Sequence, residues 1–258
     1  MKKRRFFIIF ILFVVSFISF FILFKQRERN IQKVILPTPY SFQEKAEEKK
    51  REPVILEQEE INTEKELPSL PDQINLAVPF ISQAPLANWD LPYKEACEEA
   101  SLLMVHSFYR GDPLDSIDPL KAREDILAMV AVENELFGYY ESTTIEELGL
   151  LAEKMYGYKS VIKQRPSLEE IKQALYLGYP VFVPASGRDL NNPHFQTPGP
   201  IYHMFILKGY TSDSFITNDP GTRYGENYLY PFEKILNANH DFADPIEKGE
   251  PRMLILEP

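Results

Sequence analysis

One cysteine in 258 residues leaves the chain without an internal disulfide. The fold must therefore be held by its core, and Cys97 is either an inert small hydrophobe or a working thiol. Histidine is scarce too, with only His106, His194, His203 and His240. There is no HExxH helix and no Cys/His ligand cluster, so no metal is required. Neither GxxxxGKS nor GxxxxGKT nor any other phosphate-cradling glycine run occurs, and no cofactor is expected. Lys and Arg number 28 against 38 Asp and Glu, a formal charge of −10. No basic stripe remains outside the N-terminal tip to neutralise phosphates, which argues against a nucleic-acid partner.

What the chain does have begins with Phe6 to Phe24, a run of 19 uncharged residues. That is close to the roughly 20 needed to cross a bilayer core. The run ends in bulky Phe24 followed by Lys25 rather than in a small-residue cleavage site, so an uncleaved transmembrane helix is expected. Lys2, Lys3, Arg4 and Arg5 precede it, favouring a cytoplasmic tip over residues 1–5 and an extracytoplasmic remainder on a single-pass membrane protein. Residues 25–74 are rich in Glu, Lys, Gln and Pro, with almost no aromatics after Phe42. They read as a disordered charged tether, transiently helical over residues 44–51, reaching on the order of 40 Å as a flexible coil.

Residues 75–258 carry the apolar periodicity of one folded domain. A helical pattern starts at Cys97, with Ala100, Leu103, Met104 and Phe108 on one face. Asp118-Pro119 opens a second helix running to about Leu136. Thr143 with Glu146, and Ser167 with Glu170, fit capping boxes, and Gly157 and Gly178 close those two helices. Apolar runs at 180–184, 204–210, 215–218 and 253–256 read as strands. Helices first and an antiparallel sheet after give an α+β fold, the helices packed on the C-terminal sheet.

A thiol in the first turn of a helix meets unpaired backbone N–H groups and a partial positive charge, which favour a thiolate and can bind an oxyanion. Gln83, 14 residues upstream, carries an amide able to complete that oxyanion site. Glu98 and Glu99 are expected to point into water, complementing the helix dipole. A thiolate nucleophile needs a base. His106 is too far along the same helix, and His240 falls at a helix terminus. His203 heads a strand that can hold it rigid, while His194 lies in the irregular loop before that strand and is the second choice. A turn near Ser212 would bring Asp219 back to within about two positions of His203, where its carboxylate can orient the imidazole. If the hairpin slips by one residue, Asn218 takes that role.

Taken together, VPFISQ, CEEASLLM, YHMFILKGY and NDPG resemble the papain-like cysteine peptidase family thirty-nine, the bacterial class that processes bacteriocins at double-glycine leaders, and in particular its stand-alone branch. The resemblance covers residues 77–241. It implies a papain-like fold, a peptide or protein substrate, Cys97 as nucleophile, His203 as general base and acid, Asp219 as the orienting residue and Gln83 as oxyanion donor. Glu98 stands where the transporter-fused members have glycine, and no transporter domain is present. The expectation is a membrane-anchored cysteine peptidase working through an acyl-enzyme, with sulfur and imidazole nitrogen within about 4 Å and the sulfur reachable from solvent. The alternatives are a catalytically silent domain of the same fold binding peptides or cell-wall material, and a Cys-dependent amidase or acyltransferase. Nothing in the sequence sets an oligomeric state.

Overall fold

The structure, a computed structural model, describes residues 36–51 and 70–258. The expected membrane helix, Phe6 to Phe24, lies outside the described residues; among those described, no helix is long and apolar enough to cross a membrane. Pro37–Pro258 forms one compact unit.

Its elements follow from local rules. The central helix α2 (Cys97–Arg110) carries apolar residues on several sides, and all but two of its residues are buried, Glu98 and Glu99 included. A helix with that pattern belongs in the interior. One side packs on the sheet and the other on α3 (Pro119–Leu136), where Ala96, Ala100, Ile126 and Val130 form a small core of their own. Asp118 caps α3 by accepting from the Leu120 and Lys121 N–H groups, both at 2.9 Å. The next helix, α4 (Ile145–Tyr156), starts one residue later than its sequence suggests, because the reciprocal capping box is made by Thr144 and Glu147. Thr143 instead turns inward and donates to Glu133. Ser167 and Glu170 cap α5 (Leu168–Tyr176) as expected.

The sheet is antiparallel. Strands β2 (Lys159–Gln164), β7 (Arg252–Glu257), β3 (Val181–Ser186), β4 (Tyr202–Tyr210), β5 (Ser214–Asn218) and β6 (Tyr228–Pro231) lie in that order, and β1 (Ile74–Asn75) also pairs with β4. β4 is central and every one of its residues is buried. Two short helices, α6 (Gly187–Leu190) and α7 (Phe232–Ala238), complete the domain. The α+β class expected from the sequence is the one observed, with the helices of the first half against a sheet drawn mostly from the second.

The tether boundary needs correcting. Residues 37–51, assigned to a disordered tether, fold onto the domain. Tyr40 bridges to Leu76 through Tyr40 N–H to Asn75 O and Ala77 N–H to Tyr40 O, at 2.9 and 2.7 Å. Ser41 and Glu44 then cap α1 (Phe42–Arg51). Phe42 packs edge-on against Phe108 and Tyr109, at 5.8 and 5.0 Å between ring centroids, and the Lys45 ammonium lies over Tyr40 and Tyr176. Average composition hid this, because three or four well-placed side chains suffice to dock a short charged helix.

Candidate active site

His203 sits on β4 with its ring buried between Phe195, edge-on at 5.2 Å, and Phe205, stacked at 5.8 Å. Its Nε2 meets Asp219 Oδ1 at 2.7 Å. A β-bulge decides that this partner is Asp219. Near the turn the pairing runs Tyr210 to Phe215 and Gly209 to Ile216, but after Lys208 it shifts to Leu207 with Thr217 and Ile206 with Asn218. One step further places Asp219 opposite Phe205, two positions from His203 and on its face of the sheet. Without the extra residue Asp219 would pair with Ile206 and point to the other face.

Asn218, the alternative, is engaged elsewhere. Its amide donates to Val78 O and Pro79 O, and its carbonyl accepts from the Asn227 N–H. His194 is likewise apart, with its ring against Tyr224 and Tyr228 and no hydrogen bond to Cys97 or Asp219.

Asp219 is fully buried and saturated with donors. Oδ1 accepts from His203 and from the Gly221 N–H at 3.0 Å, while Oδ2 accepts from Tyr230 Oη at 2.7 Å and Asn192 Nδ2 at 3.3 Å. Burial pushes its pKa up, but the attraction of His203 and these hydrogen bonds more than offset that and hold it below the usual value. Asn192 and Tyr230 had no signature in the sequence: one lies in an irregular loop and the other on a short outer strand. Gly221 has a steric role, since a Cβ there would come within 2.8 Å of His203 Cε1.

Cys97 begins α2, and its sulfur reaches β4, accepting from the Met204 N–H at 3.4 Å. The thiol is thus one backbone position from His203, whose Nδ1 is the nitrogen not committed to Asp219. No direct hydrogen bond joins sulfur and imidazole; the other partner of Sγ is Glu98 Oε2, at 3.0 Å. One expectation about this surface is overturned: Glu98 and Glu99 do not face water but are both 0 % exposed. Cys97 lies on the inward side of its helix, 6 % exposed. The helix is enclosed by α3 on the side where solvent was expected. Burial, followed by the proximity of Glu98, pushes the thiol pKa well above its ordinary value. Burial also raises Glu98 to about 8 and Glu133 to about 7, and lifts Glu99 well above the carboxylate range.

Gln83 is brought to the same region. Its N–H donates to Pro220 O at 3.0 Å, tying its loop to the segment that follows Asp219. Its side-chain amide, however, spends both N–H bonds on Tyr93 O and Lys94 O, at 3.0 and 2.8 Å. Those carbonyls belong to the 3-10 turn (Tyr93–Glu95) that leads into α2, so Gln83 braces the approach to Cys97 instead of pointing at an oxyanion. The helix start itself is left open, because Ala96 offers no side-chain cap to its first N–H groups. Among the described residues no cluster could hold a metal ion.

The site thus consists of a buried Asp–His pair, His203 on β4 and Asp219 just past β5, with the cysteine that opens a buried helix bonded to the backbone next to the histidine. The Peptidase_C39 like family matches residues 75–242, and the chain belongs to that family. None of the curated proteins matches. Among solved structures, a putative C39-like peptidase from Bacillus anthracis is similar, at 21% identity and a TM-score of 0.47 over 73% of this chain and 99% of that one. The peptidase domain of Streptococcus ComA, a bifunctional ABC transporter involved in a quorum-sensing pathway, matches at 17% identity and a TM-score of 0.39, covering 70% of this chain and 96% of that domain.

Proposed function

We propose that the chain is a cysteine peptidase with a papain-like fold, using Cys97 as nucleophile, His203 as base and then acid, and Asp219 to orient the ring. The observation that carries this reading is the 2.7 Å contact between His203 Nε2 and Asp219 Oδ1. It fixes the tautomer and leaves Nδ1 for the thiol proton. The thiolate attacks the peptide carbonyl, and the first-turn N–H groups of α2 stabilise the oxyanion; Gln83 joins them only by releasing one of its two carbonyls. The imidazolium then protonates the leaving amine, and water, deprotonated by the same ring, hydrolyses the acyl-enzyme.

The test is cleavage of a peptide library by the purified protein. His203→Ala is expected to lower the rate by about 10²- to 10⁴-fold and to slow alkylation of Cys97. Equal rates in wild type and variant would refute the assignment. The buried, un-ionised thiol favours a second reading, a silent domain of this fold that binds peptides or cell-wall material. Under that reading no peptide is cleaved and His203→Ala leaves alkylation unchanged. A Cys-dependent amidase or acyltransferase would use the same three residues on a non-peptide amide.

The membrane anchor and the extracytoplasmic position of the domain are part of the same proposal. Both rest on the uncharged run Phe6–Phe24 and the basic tip before it. Retention of the full chain in the membrane fraction after alkaline extraction, with the domain open to externally added protease, is the expected result.

A further inference from the structure

Glu98 is a carboxyl group with no exposure and no cation. The groups that face it are Cys97, Glu99 and Glu95 from its own stretch, Glu133 from α3, and Tyr202 from β4, behind which lies Asp241. Lys94 is felt by Glu95. Among the described residues no ion pair includes Glu98, Glu99 or Glu133. Neither oxygen of Glu99 finds a hydrogen-bond partner, Glu133 beside it disfavours its charge, and Thr143 Oγ1 donates to Glu133 at 3.3 Å. A negative charge on Glu98 would be buried, unpaired and repelled by its neighbours. This setting selects the uncharged acid, and an uncharged acid is a hydrogen-bond donor. The side-chain atom opposite its Oε2 is Cys97 Sγ at 3.0 Å, while its Oε1 has no partner.

We propose that Glu98 is a catalytic residue that works as an un-ionised glutamic acid, its Oε2–H donating to the Cys97 sulfur once the thiol proton has left. The inference rests on the reading of Cys97 as nucleophile and His203 as base. In the step, the S–H bond breaks, an N–H bond forms at His203 Nδ1 and the sulfur keeps the electron pair; Glu98 keeps its own proton. The thiolate is then held between the Met204 N–H and the Glu98 O–H, in a pocket where water cannot supply those contacts. With its pKa raised to about 8, chiefly by burial, Glu98 holds this proton at neutral pH and loses it as pH climbs through that value. Above it, the carboxylate opposes the thiolate.

The experiment uses the full chain, whose single cysteine takes one label per molecule. Alkylation by iodoacetamide is followed by intact mass from mildly acidic to alkaline pH for wild type, Glu98→Gln and Glu98→Leu. Glutamine keeps a donor at every pH and leucine has none. At neutral pH the leucine variant is expected to react about tenfold or more slowly than the glutamine variant. Wild type is expected to climb less steeply with alkaline pH than Glu98→Gln does. Equal rates in the two variants, or both faster than wild type, would overturn the proposal. Should Glu98→Leu fail to fold by circular dichroism, the comparison of wild type with Glu98→Gln decides alone, and superimposable pH profiles count against it. Absence of peptide cleavage with the glutamine–leucine difference intact refutes the peptidase reading only, whereas cleavage with equal alkylation refutes the role of Glu98 only.

Discussion

At the scale of single residues, the site is organised by what surrounds Asp219. Tyr230→Phe removes one of its four donors, and the charged acceptor left short of a bond is expected to cost about 1.5–3 kcal/mol of stability by denaturant unfolding. Gly221→Ala tests the wall behind the imidazole. With His203 Cε1 2.8 Å from the would-be Cβ, the ring must tilt, and cleavage and alkylation are both expected to fall while the fold persists. With one cysteine and four histidines, scarcity narrows the sequence to Cys97 with His203 ahead of His194, but it leaves both Asp219 and Asn218 beside the ring, and the register of the folded hairpin decides between them. What sequence could not convey was burial. Two adjacent glutamates at a helix start look the same whether they meet water or α3, and these two meet α3. Asn192 and Tyr230 act through contacts made across the fold, which no spacing encodes.

Among the elements, α1 precedes the range matched by the family, as β7 follows it. Helix α1 closes over one end of α2 by seating Phe42 on Phe108 and Tyr109. Because Phe42 is only partly buried, Phe42→Ala is expected to cost about 1–3 kcal/mol, below the range for a fully buried ring, with a matching fall in melting temperature. Activity measured well below the new midpoint should be retained. The Ser41–Glu44 box is visible in the sequence, yet its helix was submerged in a charged stretch, because compositional reasoning averages over the few residues that dock. β2 escaped notice for the opposite reason: five of its six residues are exposed, so no alternating pattern marks it, and only its pairing with β7 makes it a strand. The bulge at Lys208 leaves no trace in composition either. Its effect is the choice of carboxylate over carboxamide beside the imidazole.

For the whole molecule, the three enclosed carboxyl groups set a pH dependence of stability. Each has a folded pKa raised above the usual carboxylate value, so the unfolded chain releases protons that the folded chain retains. The stabilisation is complete below about pH 4.5 and declines as pH rises toward the folded values, about 7 for Glu133 and about 8 for Glu98. Melting temperature is therefore expected to fall across this window, and Glu133→Gln to flatten the fall. A decline of the same slope in the variant would show that the cluster ionises freely. The α+β class was legible from the succession of helical and strand patterns, whereas the enclosure of α2 by α3 was not, because the periodicity of a helix does not say how many neighbours it has.

The enclosure of the lone sulfur also bears on its chemical lifetime. Peroxides and other oxidants act on exposed thiolates, and a covered, protonated thiol offers them little. With no second cysteine to form a rescuing bond, the walls that make this sulfur slow to ionise are also what shields it from oxidation.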